Sequence, residues 1–94
     1  MAVVRVPTPL RRLVGDQRSV PAAGATLAEL IDDLDRQYPG IRARLVDDQG
    51  HLLSFVNVFV NNEDVRFLQG LETPVPVNAE VSIVPAMAGG RDGS

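Results

Sequence analysis

The chain has 94 residues and contains no cysteine, no tryptophan and no lysine. Without cysteine there are no disulfides, thiolate metal sites, iron–sulfur clusters or thiol nucleophiles, so an iron–sulfur ferredoxin is excluded whatever the fold. Without lysine there is no Schiff-base amine and no phosphate-loop lysine, and no side chain can accept its own chain in an isopeptide bond. All nine basic residues are arginine. Aromatic residues are scarce, three Phe and one Tyr, so the core must be mainly aliphatic. No apolar run reaches the length of a membrane span, and the N-terminal residues lack the charged-then-apolar pattern of a secretory signal. The expectation is a soluble, cytoplasmic protein without a membrane partner. A net charge of −3 also disfavours sequence-independent nucleic-acid binding, which needs a basic surface.

The residues present describe one small globular domain. Hydrophobic residues make up 45% and charged residues 22%, enough apolar material for a single core. A chain this long buries roughly 60–65% of its unfolded surface, which leaves little room for a deep active site. Residues 2–6 (AVVRV) read as a strand ended by Pro7 and Pro9, and residues 17–22 as a second short strand after an irregular connection from Leu10 to Gly15. Thr26 and Glu29 have capping-box spacing, and Leu27, Leu30, Ile31, Leu34 and Tyr38 share one helical face up to Pro39-Gly40. That predicts an amphipathic helix of about 12 residues. Residues 54–60 (SFVNVFV) predict a strand with Val56, Val58 and Val60 inward and Phe55, Asn57 and Phe59 outward. Asn61-Asn62 is a turn, Val65–Phe67 a short strand or bridge, and Glu80–Pro85 a last strand with Val81 and Ile83 on one face and Ser82 and Val84 on the other. This order predicts an α+β fold of the β-grasp, ubiquitin-like arrangement, a mixed sheet of four to five strands with one helix across it. The domain is expected to span residues 1–86, with residues 87–94 a flexible small-residue tail.

Catalytic constellations are hard to find. His51 follows a Gly in a turn and has no second His or Cys to share a metal, so it reads as an exposed loop residue. Asp32, Asp33 and Asp35 do not converge on one point of a helix and read as a solvated face. Asp47-Asp48 lacks the further ligands of a calcium loop. Ser19, Ser54, Ser82 and Ser94 have no triad around them. Arg11-Arg12 reads as a solvated loop. The expectation is no metal, no bound cofactor and no enzymatic activity.

The tail is different. Gly89-Gly90 lies a few residues beyond the last strand, on a run of small residues, Ala86-Met87-Ala88. Two residues without Cβ pass through a channel too narrow for side chains. The stretch NAEVSIVPAMAGG resembles the C-terminal signature of the β-grasp sulfur-carrier family, that of ThiS and the small subunit of molybdopterin synthase. VNVFVNNEDVRFLQGLETPV, PTPLRRLVG and TLAELIDDLDRQYPGI are similar to the CysO-like branch of that family, whose carriers deliver sulfur for cysteine synthesis.

The resemblance implies that Gly90 supplies the reactive carboxylate. An E1-like partner would adenylate it with ATP, and sulfur would displace AMP to leave a thiocarboxylate. Gly89, Ala88, Met87 and Pro85 would be the stretch the partner recognises, and a sulfur-acceptor synthase, cysteine-synthase-like or other, would receive the sulfur. Arg91-Asp92-Gly93-Ser94 follow Gly90 here, so its carbonyl is an amide. The extension is either removed at Gly90–Arg91 by a JAMM-type metalloprotease, or an appended linker, or retained with the chemistry lost. A carrier also needs a docking surface, for which Phe55, Phe59 and Val84 are candidates unless residues 41–53 cover them, with Phe67 and Leu68 open to the same two readings. A ubiquitin-like modifier joined through Gly90, or a plain interaction module, are the alternatives.

Overall fold

The strong alternation in residues 56–60 and 80–85 sets the centre of the molecule. In the computed structural model, which describes residues 1–85, these two segments pair antiparallel, with Val58 opposite Ile83 and Val60 opposite Val81. The elements run β1 (Ala2–Arg5), β2 (Ser19–Ala22), α1 (Leu27–Gln37), β3 (Val56–Val60), β4 (Glu63–Asp64) and β5 (Glu80–Pro85). The sheet order is β2-β1-β5-β3-β4, with β1 and β5 parallel and the other pairs antiparallel. This is the expected β-grasp sheet, with five strands. The division expected after residue 86 lies outside the described residues.

The inward row of the sheet is almost entirely valine. Val4, Val20, Val58 and Val81 are each buried and meet Leu27, Leu30, Ile31 and Leu34 of α1. Ile41, Leu45 and Val46 join the same core from the segment after the helix. Each such side chain contributes about 1.5–3 kcal/mol when removed from water. The helix begins as its capping pair requires. Thr26 Oγ1 accepts from the Glu29 N–H at 3.3 Å, and Glu29 Oε1 accepts from the Ala25 N–H at 3.0 Å.

Two stretches differ from the sequence expectation. Thr8–Val14 forms a 3-10 helix and not an irregular connection: Pro9 suits its first turn, Val14 is buried, and Gly15 closes it at φ 65°. Val65–Phe67 is also a 3-10 turn, and the strand is the pair before it, Glu63–Asp64. The tight turn at Asn61-Asn62, both with positive φ, starts β4 at once. The Asp64 side chain then accepts from the Arg66 N–H at 2.9 Å, which ends the ladder and turns Val65 into the core.

The open edge of β2 is closed by α1. Pro21 has no N–H, its carbonyl accepts from Gln37 Nε2 at 3.1 Å, and the Ala23 N–H donates to Asp33 Oδ2 at 3.0 Å. The Ala23 N–H, helped by Gln37 and Arg36, holds the Asp33 carboxyl below its ordinary value of 3.8. Sequence reading treated Asp33 as a solvated residue, but it ties helix to sheet.

Two outcomes follow from this packing. A Cβ on Gly24 would overlap the Leu30 backbone nitrogen and lie 2.8 Å from Glu29 C and Leu30 Cα, so Gly24→Ala should cost about 2 kcal/mol in denaturant unfolding. Asp33→Ala should cost roughly 1 kcal/mol at pH 7, a figure that allows for partial solvent access. Because the folded-state pKa is the lower one, that contribution is present at neutral pH and lost as pH falls through it. Wild type and variant should therefore converge in urea melts taken well below pH 3.8, and a constant gap would contradict the assignment.

Candidate functional site

β5 is hydrogen-bonded on both edges, to β1 and to β3, and Pro85 pairs opposite Val56 at its end. That pairing fixes the position of Pro85. The residues expected to be recognised or to react, Met87, Ala88, Gly89 and Gly90, and the expected processing position Gly90–Arg91, lie outside the described residues. The described part of the site is therefore the surface around Pro85.

Because β1 and β5 run parallel, the end of β1 arrives beside the end of β5. Pro7, Pro9 and Leu10 there form an apolar groove of about 200 Å³ with Phe55, Ile83 and Pro85, and Arg44 stands at its wall. In the sequence Pro7 and Pro9 read only as strand terminators. Their proximity to Pro85 depends on the parallel pairing, which no local pattern encodes.

The outer face of the sheet continues from this groove. Phe55 is 57% and Val84 43% exposed, with Asn57 and Phe59 half-buried between them and β4. Residues 41–53 leave Phe55 and Val84 uncovered. Ile41, Leu45 and Val46 are buried in the core, and the Leu53 N–H donates to the Leu45 carbonyl at 2.9 Å, which folds the segment on itself. Phe67 is almost fully exposed on its 3-10 turn, and Leu68 lines a separate hollow with Val60 and Thr73. Neither lines the groove at Pro85.

Sequence reading missed Arg66, which holds the start of β3. Its guanidinium donates to the carbonyls of Leu53 at 2.8 Å and Val56 at 2.7 Å, to that of Ser54, and to the Asn57 side chain. β4 pairs only with Phe59 and Val60, so these carbonyls would otherwise be bare edge groups. Arg66 thus fixes the backbone on either side of Phe55.

Several carboxylates have structural partners. Asp47 accepts from the His51 and Gln49 N–H groups at 3.0 and 2.9 Å, which holds its carboxyl below the ordinary value and closes the turn. Asp35 accepts from the Gly40 and Arg42 N–H groups, and Asp32 pairs with Arg42. His51 is exposed. Among the described residues no group of three or more His, Cys, Asp and Glu could hold a metal ion. Among the described residues the arrangement presents a surface and not a catalytic cluster.

The pattern that defines the ThiS family matches residues 4–90. The sulfur carrier protein CysO of Mycobacterium tuberculosis (strain ATCC 25618 / H37Rv) is 49% identical over 89 residues, which covers 93% of this chain and 96% of that protein. A chain in the crystal structure of the Amycolatopsis orientalis BexX/CysO complex superposes with a TM-score of 0.90 at 47% identity, covering 95% of this chain and 99% of that one. The small archaeal modifier protein 3 of Haloferax volcanii is 35% identical over 66 residues, 70% of this chain and 71% of the modifier.

Proposed function

From the premise that the chain belongs to the ThiS family, we propose that it is a sulfur carrier working through the carboxylate of Gly90. The observation that carries this reading is that the family match runs from Val4 to Gly90, so it takes in Gly89-Gly90 beyond a strand held on both edges. Extended, the five residues from Ala86 to Gly90 would span roughly 16 Å, enough to place Gly90 inside a partner while the domain docks outside.

The chemistry divides between carrier and partner. A carboxylate resists attack until it has a good leaving group. Once residues 91–94 are removed, a Gly90 carboxylate oxygen attacks the α-phosphorus of ATP on an E1-like enzyme and pyrophosphate leaves. A sulfide-equivalent donor then attacks the acyl carbon, AMP departs with the C–O electron pair, and a thiocarboxylate remains. Its sulfur attacks the electrophile held by an acceptor synthase, and hydrolysis of the resulting acyl bond returns Gly90 to a carboxylate. ATP belongs to the activating partner, and the carrier has no bound cofactor. The CysO relatives are named sulfur carriers. A carrier of this kind would hand its sulfur to an acceptor synthase, cysteine-synthase-like or other, and removal of residues 91–94 at Gly90–Arg91 would fall to a JAMM-type metalloprotease. Among the described residues no helix is long and apolar enough to cross a membrane, which agrees with cytoplasmic work of this kind.

The proposed docking surface is the groove at Pro85 with Phe55, Phe59 and Val84, and the partner then grips Met87, Ala88 and Gly89. The modifier relative favours a second reading, conjugation of Gly90 to lysines of other proteins.

Protein ending at Gly90, incubated with the activating enzyme, ATP and sulfide, should gain in the mass spectrometer first an adenylate and then an oxygen-to-sulfur exchange. Protein that gains neither sinks the reading, and Gly-Gly remnants on cellular lysines would favour the modifier. Phe55→Ala should change stability by less than about 0.5 kcal/mol, since its ring is largely exposed. It should also lower kcat/KM for adenylation about 10-fold or more if that ring anchors the partner.

A further inference from the structure

The arginines are unevenly placed. Residues 1–18 hold Arg5, Arg11, Arg12 and Arg18 against one acid, Asp16, while the rest of the chain holds five arginines against eleven acids. Folding gathers three of the first set. Arg5, Arg11 and Arg18 line a shallow groove of about 730 Å³ beside Ser19, Asn78 and Glu80, along β1 on the outer side of the sheet. Glu80 is the one acid in its lining, and it is paired with Arg5. Arg11 is held in place, because its Nε donates to the Val6 carbonyl at 3.1 Å and leaves the rest of the guanidinium to the groove. α1 carries Glu29, Asp32, Asp33 and Asp35 against Arg36. The molecule is negative overall but offers a basic strip on its outer side and an acidic helix.

We infer that this basic groove is the second half of the docking surface, and that it receives a carboxylate-rich strip on the activating enzyme. The inference rests on the reading that this enzyme docks on the outer face. Ser82 links the two halves, since it pairs with Arg5 on one side and with Phe59 on the other. Apolar contact at Phe55, Phe59 and Val84 supplies desolvated area. The arginines supply orientation, because charge complementarity acts before contact and turns a small carrier so that its correct side arrives first. An acidic strip would be attracted to the groove and repelled by the acidic helix, which rejects the reversed orientation.

The test uses chain ending at Gly90 with the ATP-dependent activating enzyme of the same genome. For wild type, kcat/KM for adenylation should fall as ionic strength rises. Arg11→Glu with Arg18→Glu should lower kcat/KM at low salt about tenfold or more, through KM with kcat unchanged, and flatten the salt dependence. Arg11→Lys with Arg18→Lys should restore most of that dependence, and Arg36→Glu on the helix should leave the rate unchanged. Separately, hexaglutamate added to wild type at low salt should shift amide resonances around residues 5–6, 11 and 18–19. A salt-independent rate, an equal loss from Arg36→Glu, or shifts confined to other regions would overturn the inference. So would a single-stranded oligonucleotide that shifts the same resonances at lower concentration than hexaglutamate. Wild type that is never adenylated yet shows the hexaglutamate shifts would refute the carrier reading and leave the acidic-partner surface standing.

Discussion

The molecule depends on β5 being held on both edges. Its pairing with β1 brings the first residues of the chain to the middle of the sheet, and its pairing with β3 sets the register of the Phe-bearing strand. Because side chains alternate, one register decides that Val81 and Ile83 enter the core while Ser82 and Val84 face out. A slip by one residue would bury Ser82, expose the core valines and move the point where the tail departs. The core, the outer face and the root of the tail are thus fixed by one set of ladder bonds.

What could be read in the sequence was what depends on near neighbours. The Val56–Val60 alternation, the Thr26–Glu29 cap and the last strand at Glu80–Pro85 were all legible, because period and spacing carry them. Val65–Phe67 misled because an apolar–polar–apolar alternation of Val65, Arg66 and Phe67 suggests a strand, whereas the Asp64 side chain captures a backbone N–H and bends the chain. No sequence pattern marks Gly24, although the backbone of the first helical turn presses against it. The candidate docking surface is legible in the sequence only in part. Alternation put Phe55, Phe59 and Val84 on one face, but whether residues 41–53 covered them depended on where Ile41 and Leu45 found a core. The groove at Pro85 and the gathering of Arg5, Arg11 and Arg18 arise from pairings distant in sequence, so no motif announces them.

The described sheet has two edges, and side chains cap backbone groups along both. On β2 a proline removes a donor while Gln37 and Asp33 take the neighbouring groups; on β3 the short β4 covers two positions and Arg66 covers the carbonyls before them. A partner that recognises this protein by adding a strand would have to displace these bonds first. The outer face, by contrast, leaves Phe55 and Val84 uncovered, as docking in the proposed carrier function would need. The side chains that cap the edges are polar and lie outside the hydrophobic pattern, so they look like ordinary surface residues in the sequence.

The parallel placement of β1 beside β5 also has a mechanical consequence. A pull applied at Pro85 along the axis of β5, as the proposed function would require of an activating partner, loads that strand from its end. That strand shares its load with β1 on one side and β3 on the other, so the ladder bonds are strained together in shear and not opened one after another. A peeled hairpin yields bond by bond, whereas a central strand gripped from both sides must break its bonds together. The domain is therefore built to resist a pull at Pro85 that would unravel a strand held on one edge only.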